Sequence, residues 1–236
     1  MPSYRLFNRD CREILPELAA LGIAIIADPP YGIRYNPGYG KRRGAYPMNV
    51  SKQRRIIGDD KPFDPAHLLR FETVVLFGAE NFADKLPASR CWFIWDKRCG
   101  VIPPRDQGDC ELAWCNVKGV PRVFRHVWDG MIRASERNTR RAHPTQKPVA
   151  LFKWIIAQLN LPPATTICDP YMGVGACGVA AAELGYSFIG IELDPLYFHH
   201  AEWRIGAAYA QMTMSESPIA NCELQIANCK FGEETE

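Results

Sequence analysis

No stretch of this sequence stays apolar for the roughly 20 residues that a helix needs to cross a bilayer, although apolar residues fill 47% of its 236 positions. The opening MPSYRLFNRDCREIL lacks the basic-then-apolar layout of a secretory leader. Nine cysteines are present, an odd number, with no CxxC pair, and Cys110 and Cys115, five apart, have no obvious histidine partners. This pattern disfavours a zinc site or a disulfide framework and favours reduced, mostly buried thiols. The expectations are no metal, no membrane and a cytoplasmic location. Also missing is a large excess of either charge, since 28 Lys and Arg against 26 Asp and Glu leave a formal net charge of +2.

The near-neutral total hides segregation. Between Arg34 and Arg55 stand seven bases (Arg34, Lys41, Arg42, Arg43, Lys52, Arg54, Arg55) and no acid. Between Lys118 and Lys147 stand eight bases against Asp129 and Glu136. The last 36 residues carry six Glu and only two bases, Arg204 and Lys230. Basic clusters on a balanced protein suit a polyanion footprint, and they equally suit solvated loops.

Elements alternate along the chain. Tyr4 to Phe7, Ile23 to Ala27, Thr73 to Phe77, Cys91 to Trp95, Glu111 to Cys115, Thr166 to Cys168 and Ser187 to Ile191 read as strands. Cys11 to Leu21, Pro65 to Phe71, Asn81 to Leu86, Pro148 to Leu159, Gly175 to Leu184 and Leu196 to Tyr209 read as helices. The alternation predicts one α/β domain over residues 1–210, with a mostly parallel central sheet and helices on both faces. Two long irregular stretches interrupt it: a basic loop at 34–61 and an insertion at 97–142 that otherwise carries turns, aromatics and Arg. Residues 211–236 read as a polar, acidic tail, with IANCELQ and IANCKFG repeated seven apart.

Two segments carry chemistry. In GIAIIADPPYG, a buried run ends in Asp28-Pro29-Pro30-Tyr31. Proline cannot donate to a strand ladder and fixes its own φ, so the pair ends the strand and stiffens an acid-and-aromatic corner. The carboxyl ends of strands are where open α/β sheets bind ligands, although a plain strand-ending turn has the same composition. In ICDPYMGVGACGVAAAELGYSFIGIELDP, a strand ends at Asp169, a turn with Gly173 and Gly175 follows, and a small-residue helix begins. Glycine allows close backbone approach and the helix start offers free N–H groups. A second strand ends at Glu192, roughly 20 residues on, where an acid accepts the hydroxyls of an adenosine ribose. The pattern fits a nucleotide-type cofactor or a purely structural strand–turn–helix.

DPPYG, HPTQKPVAL (His143 to Leu151), DPYMGVG and FIGIELDPLYFHHA (Phe188 to Ala201), in that order, resemble the beta-class amino-methyltransferases of DNA, including phage and prophage members. GAENF, FIWDK and CELAW are similar to intervening segments of the same group. The resemblance implies a Rossmann-like, circularly permuted fold in which the catalytic motif precedes the cofactor motif, and S-adenosylmethionine as cofactor. It places Asp169, Pro170, Tyr171, Gly173 and Gly175 around the methionine end, Glu192, Leu193 and Asp194 at the ribose and adenine, and Asp10 with Cys11 at the adenine amine. Thr145, Gln146 and Lys147 would close over the methionine moiety. Asp28, Pro29, Pro30 and Tyr31 would receive the target base, with Asp28 also bordering the cofactor.

The same likeness implies double-stranded DNA as partner, the cytoplasm of a bacterial or phage-infected cell as location, and a monomer or homodimer. Arg34, Lys41, Arg42, Arg43, Lys52, Arg54, Arg55, Arg122, Arg125, Arg133, Arg137, Arg140 and Arg141 would contact DNA. DPPY is commoner in adenine-N6 enzymes and SPPY in cytosine-N4 enzymes, so adenine is expected and cytosine is the alternative. A catalytically inactive DNA-binding module and an RNA or protein amide methylase are the other rivals. Tyr171 departs from the usual phenylalanine, and Val174, Ala176 and Cys177 replace the hydroxyl residues common in the turn, which bears on cofactor affinity.

Overall fold

The computed structural model describes residues 1–19, 21–35, 55–101, 108–129, 132–137 and 146–214. Its strands are β1 (Tyr4–Phe7), β2 (Ala24–Ala27), β3 (Thr73–Phe77), β4 (Cys91–Asp96), β5 (Cys110–Cys115), β6 (Arg122–Arg125), β7 (Trp128–Asp129), β8 (Ile132–Arg133), β9 (Thr166–Asp169) and β10 (Ser187–Ile191). Its helices are α1 (Cys11–Leu18), α2 (Val149–Leu159), α3 (Ala176–Glu183) and α4 (Pro195–Met214).

Eight strands form one sheet in the order β1-β10-β9-β2-β3-β5-β4-β6. The five from β1 to β3 run parallel, β5 is antiparallel to both neighbours, and β6 pairs in parallel with β4 at the edge. The expected mostly parallel α/β sheet is what the chain builds. Each central strand is apolar on both sides and feeds two cores. Ile26, Val75, Phe77, Ile167 and Phe188 face Leu151, Ile155, Ala180 and Ile205 of α2, α3 and α4. Ile25, Ala27, Val74, Leu76 and Ile189 face Leu15 and Leu18 of α1, with Phe63, Leu68 and Phe71. Such near-continuous apolar runs are the signature of parallel strands covered on both faces.

β9 leads through α3 to β10 on one side, and its neighbour β2 leads to β3 on the other. The connections therefore diverge between β9 and β2, which opens a crevice at their carboxyl ends. Asp28 follows β2 directly, Asp169 closes β9, and both stand at that crevice.

Several element expectations need correction. The helix expected to reach Leu21 runs past Pro16 and stops at Leu18, where the chain turns with Leu21 N bonded to Leu18 O at 3.0 Å, ahead of Gly22 at φ +60°. Residues 65–71 form turns and not a helix. Asn81 to Leu86 is replaced by two single 3₁₀ turns, Ala79–Asn81 and Ala83–Lys85. The insertion contains three strands that the sequence pattern did not signal, β6, β7 and β8. The last helix runs to Met214, past the expected start of the tail. Among the described residues no helix is long and apolar enough to cross a membrane.

Candidate functional site

Glycine geometry and backbone capping shape the β9 side of the crevice. Gly173 and Gly175 have φ of +52° and +81°. A Cβ on Gly175 would lie 2.9 Å from Ile205 and 3.1 Å from Ala201, whereas Gly173 has nothing within 4 Å of that position. The turn is therefore pinned to α4 at one glycine and open at the other. Glu192 spans it: Gly173 N donates to Oε2 at 2.9 Å and Asp194 N to Oε1 at 2.8 Å. Asp194 in turn caps α4 by accepting Leu196 N at 2.8 Å. Asn8 Nδ2 ties the loop down through the Glu192 carbonyl at 2.8 Å. Burial raises Glu192 to a pKa of about 6 against the two N–H bonds it accepts. Asp169 is 2% exposed and accepts Tyr171 N at 3.0 Å. Burial first, then the charges of Asp28 and Glu192, push its pKa well up.

Tyr171, the departure from phenylalanine, uses its hydroxyl: His67 Nε2 lies 2.8 Å away, and the ring packs edge-on against Phe63. Val174, Ala176 and Cys177 are buried in the packing beneath the turn. Asp10 caps α1 through Arg12 N at 2.9 Å, and its carboxylate pairs with the Arg12 guanidinium at 2.5 Å. Cys11 is buried beside it. Pro170 is buried, and Leu193 is 47% exposed next to Glu192.

On the other side of the crevice, Asp28 is half-buried behind a buried Pro29. Its Oδ1 accepts the Tyr31 hydroxyl, and its Oδ2 meets Lys147 Nζ at 2.5 Å. Lys147 also reaches the Tyr31 hydroxyl at 3.2 Å and Glu111 Oε2 at 3.1 Å, and lies 4.7 Å from the centroid of the Phe77 ring. Glu111 Oε1 pairs with Lys97 Nζ at 3.0 Å. Burial alone would lower the Lys147 pKa, but Asp28 and Glu111 hold it above its ordinary value. Burial likewise works to raise Glu111, and Lys147 with Lys97 keeps it below the usual range. Burial and the Asp28 charge hold the Tyr31 hydroxyl protonated.

Three residues that brace the crevice had been given no role, Asp59 and Gly78 on this side and His67 on the other. Asp59, 4% exposed, accepts Gly32 N at 2.8 Å, Ile33 N at 3.2 Å and Tyr35 N at 2.5 Å, fixing the chain after Tyr31. His67 anchors Tyr171 as described. Gly78, φ +64°, lies under the Tyr31 ring, whose Cε1 would be 2.1 Å from an added Cβ. Gly78→Ala is expected to displace Tyr31 and to destabilise the fold by about 1–3 kcal/mol through overpacking and a strained φ. Urea denaturation measures this, and an unchanged midpoint contradicts the packing described.

The site residues thus divide. Asp28, Tyr31, Lys147 and Asp169 share one electrostatic neighbourhood, in which Asp28 and Lys147 both act on Asp169. Gln146 is buried and its carbonyl accepts Trp128 Nε1 at 2.8 Å. Arg34, Arg55, Arg122, Arg125 and Arg137 are exposed. Arg133 is half-buried, with its guanidinium 5.3 Å from the centroid of the Trp128 ring. Lys41, Arg42, Arg43, Lys52, Arg54, Arg140, Arg141 and Thr145 lie outside the described residues.

Against solved structures, the chain superposes on M1.HpyAVI in complex with S-adenosylmethionine with a TM-score of 0.53, at 20% identity, over 86% of this chain and 98% of that one. It superposes on the PvuII DNA methyltransferase, which is cytosine-N4-specific, with a TM-score of 0.54, at 15% identity, over 92% and 95%. The fold is that of the DNA methyltransferases. Residues 104–202 match the family model described as DNA methylase, a stretch that contains Glu111, Lys147, Asp169 and Glu192 of this methyltransferase fold. The type II methyltransferase M.HinfI of Haemophilus influenzae is 35% identical over 86 residues, 34% of this chain. The match spans about a quarter (24%) of that relative's length.

Proposed function

We propose that the chain is an S-adenosylmethionine-dependent DNA methyltransferase acting on the exocyclic amine of adenine, N6, in a flipped-out base. The observation that carries this reading is the convergence of Asp28 and Asp169 at the point where the β2 and β9 connections diverge. The halves come together although the acceptor corner precedes the cofactor turn in sequence, the order of a circular permutation. Residues 1–210 act as one domain, with 97–142 as the candidate recognition insertion.

The residues present fit the cofactor. A carboxylate has about four lone-pair sites, and the two N–H bonds to Glu192 fall on different oxygens, so each oxygen keeps room for a ribose hydroxyl. Leu193 offers an exposed apolar side chain for the adenine ring, and Gly173 leaves the turn open. Asp10, Cys11, Pro170, Tyr171, Gly175, Asp194 and the Thr145–Lys147 segment complete the holding set. When bound, S-adenosylmethionine supplies an electrophilic methyl group.

The protein's own work is orientation. An exocyclic amine is a weak nucleophile because its lone pair is delocalised into the ring. Asp28 and the Pro29 carbonyl accept its two N–H bonds and draw the nitrogen toward tetrahedral geometry, so the lone pair is presented without prior deprotonation. Pro29 and Pro30 hold acceptor and ring in fixed relation, and Tyr31 provides a stacking face. A base inside the duplex is unreachable, so it must be flipped out. The exposed arginines on 34, 55, 122, 125 and 137, with Arg133 and the bases outside the described residues, would follow the phosphates.

Adenine is preferred because Asp opens the PPY motif. The test is transfer of labelled methyl from S-adenosylmethionine to duplex DNA, followed by nucleoside analysis. N6-methyl-2′-deoxyadenosine as the labelled product is expected. Labelled 4-methylcytosine overturns the base assignment, and transfer to RNA or protein in preference to DNA overturns the substrate.

Glu192 also gives a pH prediction. Its pKa is raised to about 6, so the ionised acceptor exists above that pH and is lost as pH falls through it. Charge-assisted bonds to the ribose hydroxyls are stronger than neutral ones. Cofactor affinity should therefore weaken about tenfold for one unit of pH below the midpoint. Calorimetric titration at pH 5 and pH 7.5 measures it, and equal affinities at the two values contradict the role given to Glu192.

A further inference from the structure

Resting on the reading of Asp28 as acceptor for the target amine, we propose that Glu111 is a positioning residue that takes over the Lys147 ammonium when that amine occupies Asp28. Both Asp28 oxygens already have donors, Oδ1 from the Tyr31 hydroxyl and Oδ2 from Lys147 at 2.5 Å. Each oxygen keeps a second lone pair, but an amine approaching Oδ2 from the side that Lys147 holds must displace the ammonium, the charged donor. Lys147 is 5% exposed, so it has little access to water, and a buried ammonium without a counter-charge is strongly disfavoured. Glu111 Oε2 is in place 3.1 Å from Lys147 Nζ. Its other oxygen is held by Lys97 at 3.0 Å, which fixes the carboxylate and leaves Oε2 for Lys147. Lys147 can pass from the shared position to Glu111 by a small rotation and without leaving the protein.

The charges balance throughout. Asp28 and Glu111 face Lys147 and Lys97, two against two, and a neutral amine entering the cluster changes nothing in that sum. A lone Lys147 on Asp28 would compete with the substrate for the acceptor oxygen, and Glu111 removes that competition. The groups that act on Lys147 are Asp28 and Tyr31 after β2, Glu80 after β3, Glu111 on β5 with Lys97 behind it, and Asp169 at the end of β9. The nearest carboxylates among them are Asp28 and Glu111, each in direct contact.

The test uses the full chain and the variants Glu111→Gln, Glu111→Asp, Lys147→Met and Glu111→Gln/Lys147→Met. Three quantities are read: the titration of the Lys147 ammonium by side-chain nitrogen NMR in cofactor-free protein, cofactor affinity, and single-turnover methyl transfer to DNA. Glu111→Gln should lower the Lys147 titration by about one unit or more. It should slow transfer about tenfold while leaving cofactor affinity within about twofold. Glu111→Asp should recover part of that loss, and in the Lys147→Met background Glu111→Gln should have no further effect. An unshifted Lys147 titration, or a Glu111→Gln loss that persists in full on top of Lys147→Met, overturns the role. Should Glu111→Gln fail to fold, Lys97→Gln tests the same chain: Glu111, no longer shared, should raise the Lys147 titration, and no change overturns the proposal. A wild-type chain that transfers no methyl group to DNA refutes the reading of the site, whereas the NMR titration refutes the Glu111–Lys147 coupling on its own.

Discussion

Asp28→Ala should slow methyl transfer by about 10³-fold or more and leave cofactor affinity within about threefold. The size follows from what is removed. Alanine deletes the partner that Lys147 and Tyr31 share and, on the proposed mechanism, the charged acceptor for the amine. Loss of one preorganised electrostatic contact costs about 10²–10³ in rate, and loss of orientation between two bound substrates adds to it. Cofactor affinity is spared because the Glu192 and glycine-turn contacts belong to β9, β10 and α4, separate from the Asp28 corner. Lys147 retains Glu111, so the buried ammonium keeps a counter-charge and the fold survives. Single-turnover rates and calorimetric cofactor titration measure the two halves separately. Transfer at the unmodified rate would remove Asp28 from the chemistry, and joint loss of binding and rate would make it structural.

Glu192→Ala should do the reverse. The proposed ribose site would lose two charge-assisted bonds, at about 1.5–3 kcal/mol each, so cofactor affinity should fall by about 10²-fold or more. The substitution also leaves Gly173 N and Asp194 N without their acceptor and loosens the turn, which adds to the loss. At saturating cofactor the rate should recover much of the way, because Asp28, Tyr31 and Lys147 are untouched. Calorimetry and the dependence of rate on cofactor concentration measure this. Unchanged affinity would mean that Glu192 only braces the backbone.

The strands and turns that carry the two halves of the candidate site were legible because each is a buried strand halted by residues that cannot continue it. GIAIIA ends in Pro29-Pro30, and TICD ends in a turn with two positive-φ glycines. Short buried runs between such stops leave little freedom, and β2 and β9 came out within a residue of the expected bounds. The insertion was not legible. β6 is an edge strand reading RVFR with exposed arginines, and β7 and β8 have two residues each, too short to show a period. Pro65 to Phe71 has the apolar spacing of a helix, yet Leu68 and Phe71 are buried by turns instead, a tertiary demand that overrides local preference.

The partners of the site were hidden for a different reason. Asp59 bonds the Gly32 backbone 27 residues away, His67 meets Tyr171 across 104, and Lys147 meets Tyr31 across 116. No periodicity or spacing rule reaches that far. Glu111 offered one local clue, an acid inside the strand CELAWC, whose three last residues are all buried. A charge in a strand that otherwise enters the core needs a partner, and here it has two. Gly78 opens the quoted GAENF segment, yet nothing in the sequence pointed to its role, which only the approach of the Tyr31 ring explains.

The central claim is that the Asp28 corner and the glycine turn face one another across a single bound cofactor. A crystal structure of the chain with S-adenosylhomocysteine tests it most directly. The account predicts the ribose on Glu192, the amino-acid end against the Asp169 turn, and the sulfur directed toward Asp28. Ligand bound elsewhere on the sheet, or bound with its sulfur turned away from Asp28, would contradict it.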